Sequence, residues 1–172
     1  YPLKGHYLEA EVSQSGFGFL KDDIRLLSAS FRMKRFWELS PRWFAAAGFT
    51  GKLSGYAKQP YYNTRGLGYN KDFIRGYEYY VIDGQDYALF KTGLRFALLK
   101  REYHAGFIPS PKFNAIPLSI YAGLHADAGY VSDRQSNGSN RLANHWQYGY
   151  GAGIDLFTYY DMVFRFEYSF NK

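Results

Sequence analysis

The sequence has no cysteine, only two methionines, and no run approaching the roughly twenty apolar residues that take a helix across a bilayer. The lack of cysteine suits a protein of the cell envelope, as it does many cytosolic domains. The missing apolar run excludes a transmembrane helix, and a mean hydropathy of −0.40 has the look of a soluble chain. Neither observation excludes membrane strands, whose lipid-facing and lumen-facing residues alternate and average out. Helical periodicity is also scarce. The opening Tyr1-Pro2-Leu3-Lys4-Gly5 lacks the apolar stretch of a signal peptide, so an exported protein with this sequence would begin upstream, and the chain is expected to be a fragment.

Aromatic residues and glycine are abundant: Tyr 18, Phe 15 and Gly 18 in 172 residues, enough chain for one domain. A formal net charge of +6 is compatible with nucleic acid, anionic lipid or a solvated lumen. The Lys and Arg are scattered through the chain instead of gathered in one basic run, which favours the lumen and argues against a nucleic-acid partner.

Hydrophobicity recurs with period two. In His6 to Ser15, Leu8, Ala10 and Val12 oppose Glu9, Glu11 and Ser13. In Ile24 to Arg35, Leu27, Ala29, Phe31 and Met33 oppose Ser28, Ser30, Arg32 and Lys34. Arg42 to Leu53 puts Trp43, Ala45, Ala47 and Phe49 on one side, with Phe44 blurring the other. Tyr87 to Lys100 sets Phe90, Leu94, Phe96 and Leu98 against Lys91, Gly93 and Arg95. Ile116 to Ala128 sets Leu118, Ile120, Ala122 and Leu124 against Ser119, Gly123, His125 and Asp127. Trp146 to Leu156 sets aromatic and aliphatic residues against Gln147, Gly149, Gly151, Gly153 and Asp155, and Met162 to Phe170 sets Phe164, Phe166, Tyr168 and Phe170 against Arg165, Glu167 and Ser169. These are seven strands of roughly ten residues, the length of a tilted strand that crosses a bilayer.

Short connections at Gly16 to Asp23 and Thr158 to Asp161 contrast with long ones at Ser54 to Asp86 and Asp133 to Asn144, as in an outer-membrane barrel. Aromatic pairs at Phe36-Trp37, Tyr61-Tyr62, Tyr79-Tyr80 and Tyr159-Tyr160 read as strand-end girdles. A soluble β-sandwich or lipocalin-like barrel would show the same alternation with Phe, Tyr and Leu inside, and periodicity alone does not tell inside from outside. Uniform strand length, aromatic ends, and glycine at 149, 151 and 153 on the polar face favour a membrane barrel with something bulky in its lumen.

Within the longest connection stands Gly66-Leu67-Gly68-Tyr69-Asn70-Lys71-Asp72-Phe73-Ile74-Arg75-Gly76-Tyr77. It resembles the re-entrant loop of the BamA/TamA-like outer-membrane assembly-factor superfamily, the surface-antigen barrels that include two-partner-secretion translocators. In that superfamily the tip residues, here Ile74, Arg75, Gly76 and Tyr77, fold back into the lumen. The arginine meets an aspartate on a following strand, and the matching pattern here is His125-Ala126-Asp127-Ala128-Gly129, with Asp127 as partner and Gly129 closing the motif. Tyr1 to Gly5 resembles the Pro-x-x-Gly opening of an earlier strand. The chain departs from the pattern at Gly93, where many relatives carry a glutamate, so that Arg75 is expected to rely on Asp127 alone. It also stops where relatives add a closing strand.

The resemblance implies an all-β, antiparallel transmembrane β-barrel of sixteen strands, of which residues 1–172 are a C-terminal part of about seven and residues 54–86 the lumen-directed loop. It further implies non-enzymatic assembly, insertion or transport of protein in the bacterial outer membrane. The partners would be unfolded outer-membrane polypeptides, outer-membrane lipid with its lipopolysaccharide, and accessory lipoproteins. A passive pore, an adhesin barrel, or the barrel anchor of a patatin-like phospholipase stays open beside that reading.

No catalytic residues, cofactor or metal site emerge from the residues themselves. The four histidines, His6, His104, His125 and His145, have no ligand partners at useful spacing, and His125 with Asp127 on one face is too few for a metal. Arg75 has two readings: a surface arginine against the rings of Tyr77 or Tyr79, or one half of a buried ion pair that fixes the loop.

Overall fold

A computed structural model describes residues 2–16, 26–55, 60–104, 115–135, 140–158 and 162–172. The period-two runs form strands: β1 Gly5–Ser15, β2 Leu26–Glu38, β3 Trp43–Ser54, β4 Asp86–His104, β5 Ala115–Ser132, β6 Trp146–Phe157 and β7 Val163–Asn171. They make one antiparallel sheet in chain order, each strand paired with the next. Among the described residues there is no α-helix, only a 3-10 turn at Tyr61–Asn63. The fold is therefore all-β. The sheet is open, with β1 and β7 at its two edges.

Strand length is not uniform. β4 and β5 run 19 and 18 residues against 9 to 13 for the others. The pairing of β3 with β4 begins at Trp43↔Phe96 and that of β5 with β6 ends at Ser119↔Phe157, so the tips of β4 and β5 pair only with each other and overhang the sheet as a ribbon. At the root of the ribbon the register slips between Ala97 and Leu99. This bulge makes Leu98 an extra residue in the ladder, exposed as expected, and sets Leu99 opposite Ile120. It also turns Lys100 inward, its Nζ 4.6 Å from the centre of the Phe44 ring and 3.1 Å from the carbonyl of Pro41. Phe44, the residue that blurs the pattern of β3, is buried there edge-on to Tyr121 with Leu3 and Ala97 beside it.

The two faces of the sheet differ sharply. One carries Leu8, Val12, Leu27, Phe31, Met33, Trp37, Trp43, Phe49, Phe90, Leu124, Tyr150, Ile154, Phe166 and Phe170, and all of these are exposed. The other carries most of the charged residues of the strands and is covered by residues 60–85, whose Leu67, Ile74, Tyr77 and Ile82 pack on Leu89 and Val131. The apolar face is the bare one, the reverse of a water-soluble sheet with a single core.

Connections 16–25, 55–85 and 133–145 leave one end of the sheet, and 39–42, 105–114 and 158–162 leave the other. The Gly16 to Asp23 connection, grouped by length with the short turns, thus shares its end with the long loops; residues 17–25 lie outside the described residues. The aromatic ends also differ from expectation. Phe36-Trp37 closes β2, but Tyr61-Tyr62 and Tyr79-Tyr80 belong to the long loop, and Tyr159-Tyr160 lie outside the described residues. The rings at strand ends on the apolar face are Trp43 with Phe96 (centres 4.8 Å apart) at one end, and Tyr130, Trp146 and Tyr148 at the other.

Candidate functional site

The long loop leaves β3 at Ser54, folds across the polar face and returns to β4 at Asp86. Its own ladder is short, Leu67 pairing with Ile82 and Tyr69 with Asp72, so side chains do most of the anchoring. Asp72 receives Arg32 Nη2 of β2 at 2.8 Å, and Arg32 also meets Glu9 of β1 at 3.2 Å. Asp83 accepts the hydroxyls of Tyr69 and Tyr61. Burial, and then the bond and charge of Asp83, push the Tyr69 phenol up to about 12.

The tip of the loop is where the structure brings the motif residues together. Asp127 projects from β5 with its side chain wholly enclosed, and Arg75 is 14% exposed. The guanidinium grips both carboxylate oxygens, Nε to Oδ2 at 2.8 Å and Nη2 to Oδ1 at 2.5 Å, and the amide of Arg75 adds a third bond to Oδ2 at 3.1 Å. Two-point contact in low dielectric fixes both distance and angle, which a lysine in place of Arg75 would not do. A further Nη2 bond reaches the carbonyl of Thr92 on β4 at 2.8 Å. Lys91, opposite Asp127 in the ladder, donates to the carbonyl of Phe73 at 2.7 Å, with its Nζ 4.3 Å from the centre of the Phe73 ring. The reading of Arg75 as a solvated arginine against Tyr77 or Tyr79 does not describe this geometry: Tyr79 is fully exposed and the guanidinium lies on Asp127.

Glycines make the approach feasible. A Cβ on Gly149, which faces Asp127 across the β5–β6 ladder, would collide with the carbonyl oxygen of Arg75. A Cβ on Gly129 would collide with Ile74 and stand 2.8 Å from Leu67. The glycine that ends the Asp127 motif is thus the seat of the isoleucine that opens the loop motif. Gly76 has φ +96° and would place a Cβ 2.8 Å from the carbonyl oxygen of Phe170, so conformation and space both require glycine. Tyr77 is buried beside Ile74 and donates its hydroxyl to the carbonyl of Lys172 at 2.9 Å.

Arg75 does not rely on Asp127 alone. Glu167 of β7 lies 3.7 Å from its Nη1, reaching over the glycines of β6. The signal for it in sequence is only its place among the inward residues Arg165, Glu167 and Ser169. Beyond it the charges alternate: Arg165 lies 3.7 Å from Glu167 and 2.7 Å from Asp155, which also takes Arg95 at 2.9 Å. His125 is buried and spends its Nε2 on Ser169 Oγ at 2.9 Å. Among the described residues no group of three or more His, Asp or Glu gathers to hold a metal. A cavity of about 410 Å³ opens beside the tip, lined by Lys34, Lys91, Arg95, Arg165 and Glu78 among others.

The chemistry of the arrangement is positional: a buried, two-point ion pair holds one loop conformation against the wall. Comparison of the chain with protein-family models, with curated proteins and with solved structures finds no match in any of the three.

Proposed function

We propose that the sheet is the C-terminal part of an outer-membrane β-barrel of the BamA/TamA-like kind, and that the barrel assembles, inserts or passes other outer-membrane polypeptides without covalent chemistry. The observation that carries the reading is the Arg75–Asp127 contact, formed by the residues that the loop motif and the strand motif nominate. The exposed apolar face supports the location, because on a bilayer those side chains meet acyl chains while the charged face and its loop look into a lumen. From Ala122, level with Trp43 and Phe96, to Tyr130 the strand is roughly 27 Å long at about 3.4 Å per residue, which at a barrel tilt of about 40° covers roughly 21 Å of an outer-membrane apolar band about 25 Å tall. Closure into a barrel removes the open edges of β1 and β7, which lipid does not tolerate.

The mechanism that fits is strand templating. An incoming unfolded polypeptide pairs with an edge through backbone hydrogen bonds, which are indifferent to its sequence, and its folding in lipid supplies the driving force. The loop keeps the wall in one arrangement while this happens. Lipid and lipopolysaccharide surround the barrel, and accessory lipoproteins would deliver substrate from the periplasmic side.

The test replaces the wild-type full-length protein in cells by Arg75→Ala. The expected result is loss of the heat-modifiable folded form on gels, together with accumulation of unfolded outer-membrane proteins. Wild-type heat-modifiability with wild-type outer-membrane composition in that variant would overturn the reading. Altered conductance with normal assembly of other proteins would instead make the barrel a passive pore.

A further inference from the structure

Between Gln147 and Asp155, β6 presents Gly149, Gly151 and Gly153 on the polar face, and what crosses this stretch comes from elsewhere. Arg75 reaches across to Glu167, His125 to Ser169, the carbonyl of Gly76 accepts from Asn171 Nδ2 at 3.0 Å, and the Tyr77 hydroxyl donates to the carbonyl of Lys172. A bond from the loop to β5 alone would fix the loop. Bonds to β5 and β7 together, over a stretch of strand with only glycine on that face, also fix β7.

We infer that the loop tip is a clasp that holds the edge strand β7 to β5 across β6, and that Glu167 is the positioning residue through which Arg75 exerts that hold. The guanidinium is shared: Nε and Nη2 go to Asp127, Nη2 also to Thr92, and Nη1 is the nitrogen turned to Glu167. Removing the carboxylate at 167 therefore leaves the Asp127 contact standing and takes away the link from the guanidinium to β7, while the bonds of Gly76 to Asn171 and of Tyr77 to Lys172 remain. The two acids do different work, Asp127 seating the tip and Glu167 tying the edge to it. This inference rests on the geometry of loop and sheet, not on what the barrel handles, so it can fail while the reading above stands.

Gly93 supplies the means of separating charge from place. It borders the same small cavity as Arg75 and Glu167, and the nearest atom to a Cβ built there is the carbonyl oxygen of Leu124 at 3.8 Å. A glutamate at 93 would offer Arg75 a second carboxylate from β4 in place of the one from β7.

The experiment is hydrogen exchange, read by mass spectrometry on the full-length protein folded in detergent, following peptides that contain the tip, 74–77, and β7, 163–171. Glu167→Gln is expected to speed exchange in both by about two- to fivefold, the weight of a partly exposed ion pair. Adding Gly93→Glu to that variant is expected to return the tip to its wild-type rate and leave β7 fast. Gly93→Glu alone alters no residue of β7 and keeps Glu167, yet by competing for Arg75 it is expected to speed β7. Unchanged β7 exchange in Glu167→Gln, or in Gly93→Glu alone should the first variant not fold, would overturn the clasp. Recovery of β7 together with the tip in the double variant would overturn it too, since Glu167 would then act only by balancing charge.

Discussion

Asp127 and Gly149 stand opposite one another in the β5–β6 ladder, and the space above the glycine is filled by neither strand but by the backbone of Arg75, whose guanidinium turns back onto the aspartate. The pair is enclosed, so removing one partner strands a charge away from water. Arg75→Ala and Asp127→Ala are each expected to destabilise the folded sheet by about 3–5 kcal/mol. The double variant should cost clearly less than the sum of the two, because no orphaned carboxylate or guanidinium remains, although Lys91 keeps it from being neutral. Urea midpoints of the heat-modifiable form measure all three, and strict additivity would argue that the pair is not coupled.

The glycine seats give a steric prediction. Gly149→Ala drives a methyl against the carbonyl of Arg75, and Gly129→Val drives two further methyls towards Ile74 and Leu67. Each is expected to cost about 1–3 kcal/mol as overpacking and to make the loop cleavable by trypsin at Arg75. Gly93→Ala, with open space around it, is the matched control and should leave the loop protected.

Tyr69 links the loop to alkaline pH. The folded state holds its phenolic proton more tightly than the unfolded chain does, with the pKa moved from 10.0 to about 12. A raised pKa of this kind has no effect on stability below pH 10 and withdraws stability as pH rises from 10 towards 12, when the unfolded chain loses the proton first. The difference between tyrosinate absorbance titrations of wild type and Tyr69→Phe should show a single phenol titrating near 12. A midpoint at the ordinary value would remove the proposed bond to Asp83.

The bare apolar face gives a prediction that depends on solvent. Leu124 is 62% exposed in the middle of β5. Between the rings level with Ala122 and those at Tyr130, Leu124 lies nearer the first, so in lipid Leu124→Arg should cost more than the about 0–1 kcal/mol of an interfacial site and less than the about 2–4 kcal/mol of the midplane. On a water-facing sheet the same change would lie within about 0.5 kcal/mol. Folding efficiency of the variant into lipid vesicles decides between them.

Much of the fold was legible because alternation is a direct imprint of a two-faced sheet. All seven strands lie where Leu8, Ala10 and Val12, or Gly149, Gly151 and Gly153, repeat every second residue. The overhanging ribbon was not legible, since Leu98-Leu99-Lys100 carries a bulge that breaks the very period used to find strands. Asp127 was legible as the arginine's partner because its motif is local in sequence. Glu167 was not: its reach to Arg75 depends on two glycines in a different strand, a relation that no spacing within one segment records. Aromatic pairs misled for a similar reason, as Tyr79-Tyr80 look alike whether they end a strand or line a loop.

Along β6 the wall is only one peptide thick. The carbonyl of Arg75 rests against the backbone of Gly149, and directly on the far side stand Tyr148, Tyr150 and Ala152. Seen from the apolar side, this strand is a window onto the loop. In a chain with no cysteine of its own, a single thiol at Ala152 would carry a spin label or fluorophore outside the sheet that senses whether the tip is seated or gone.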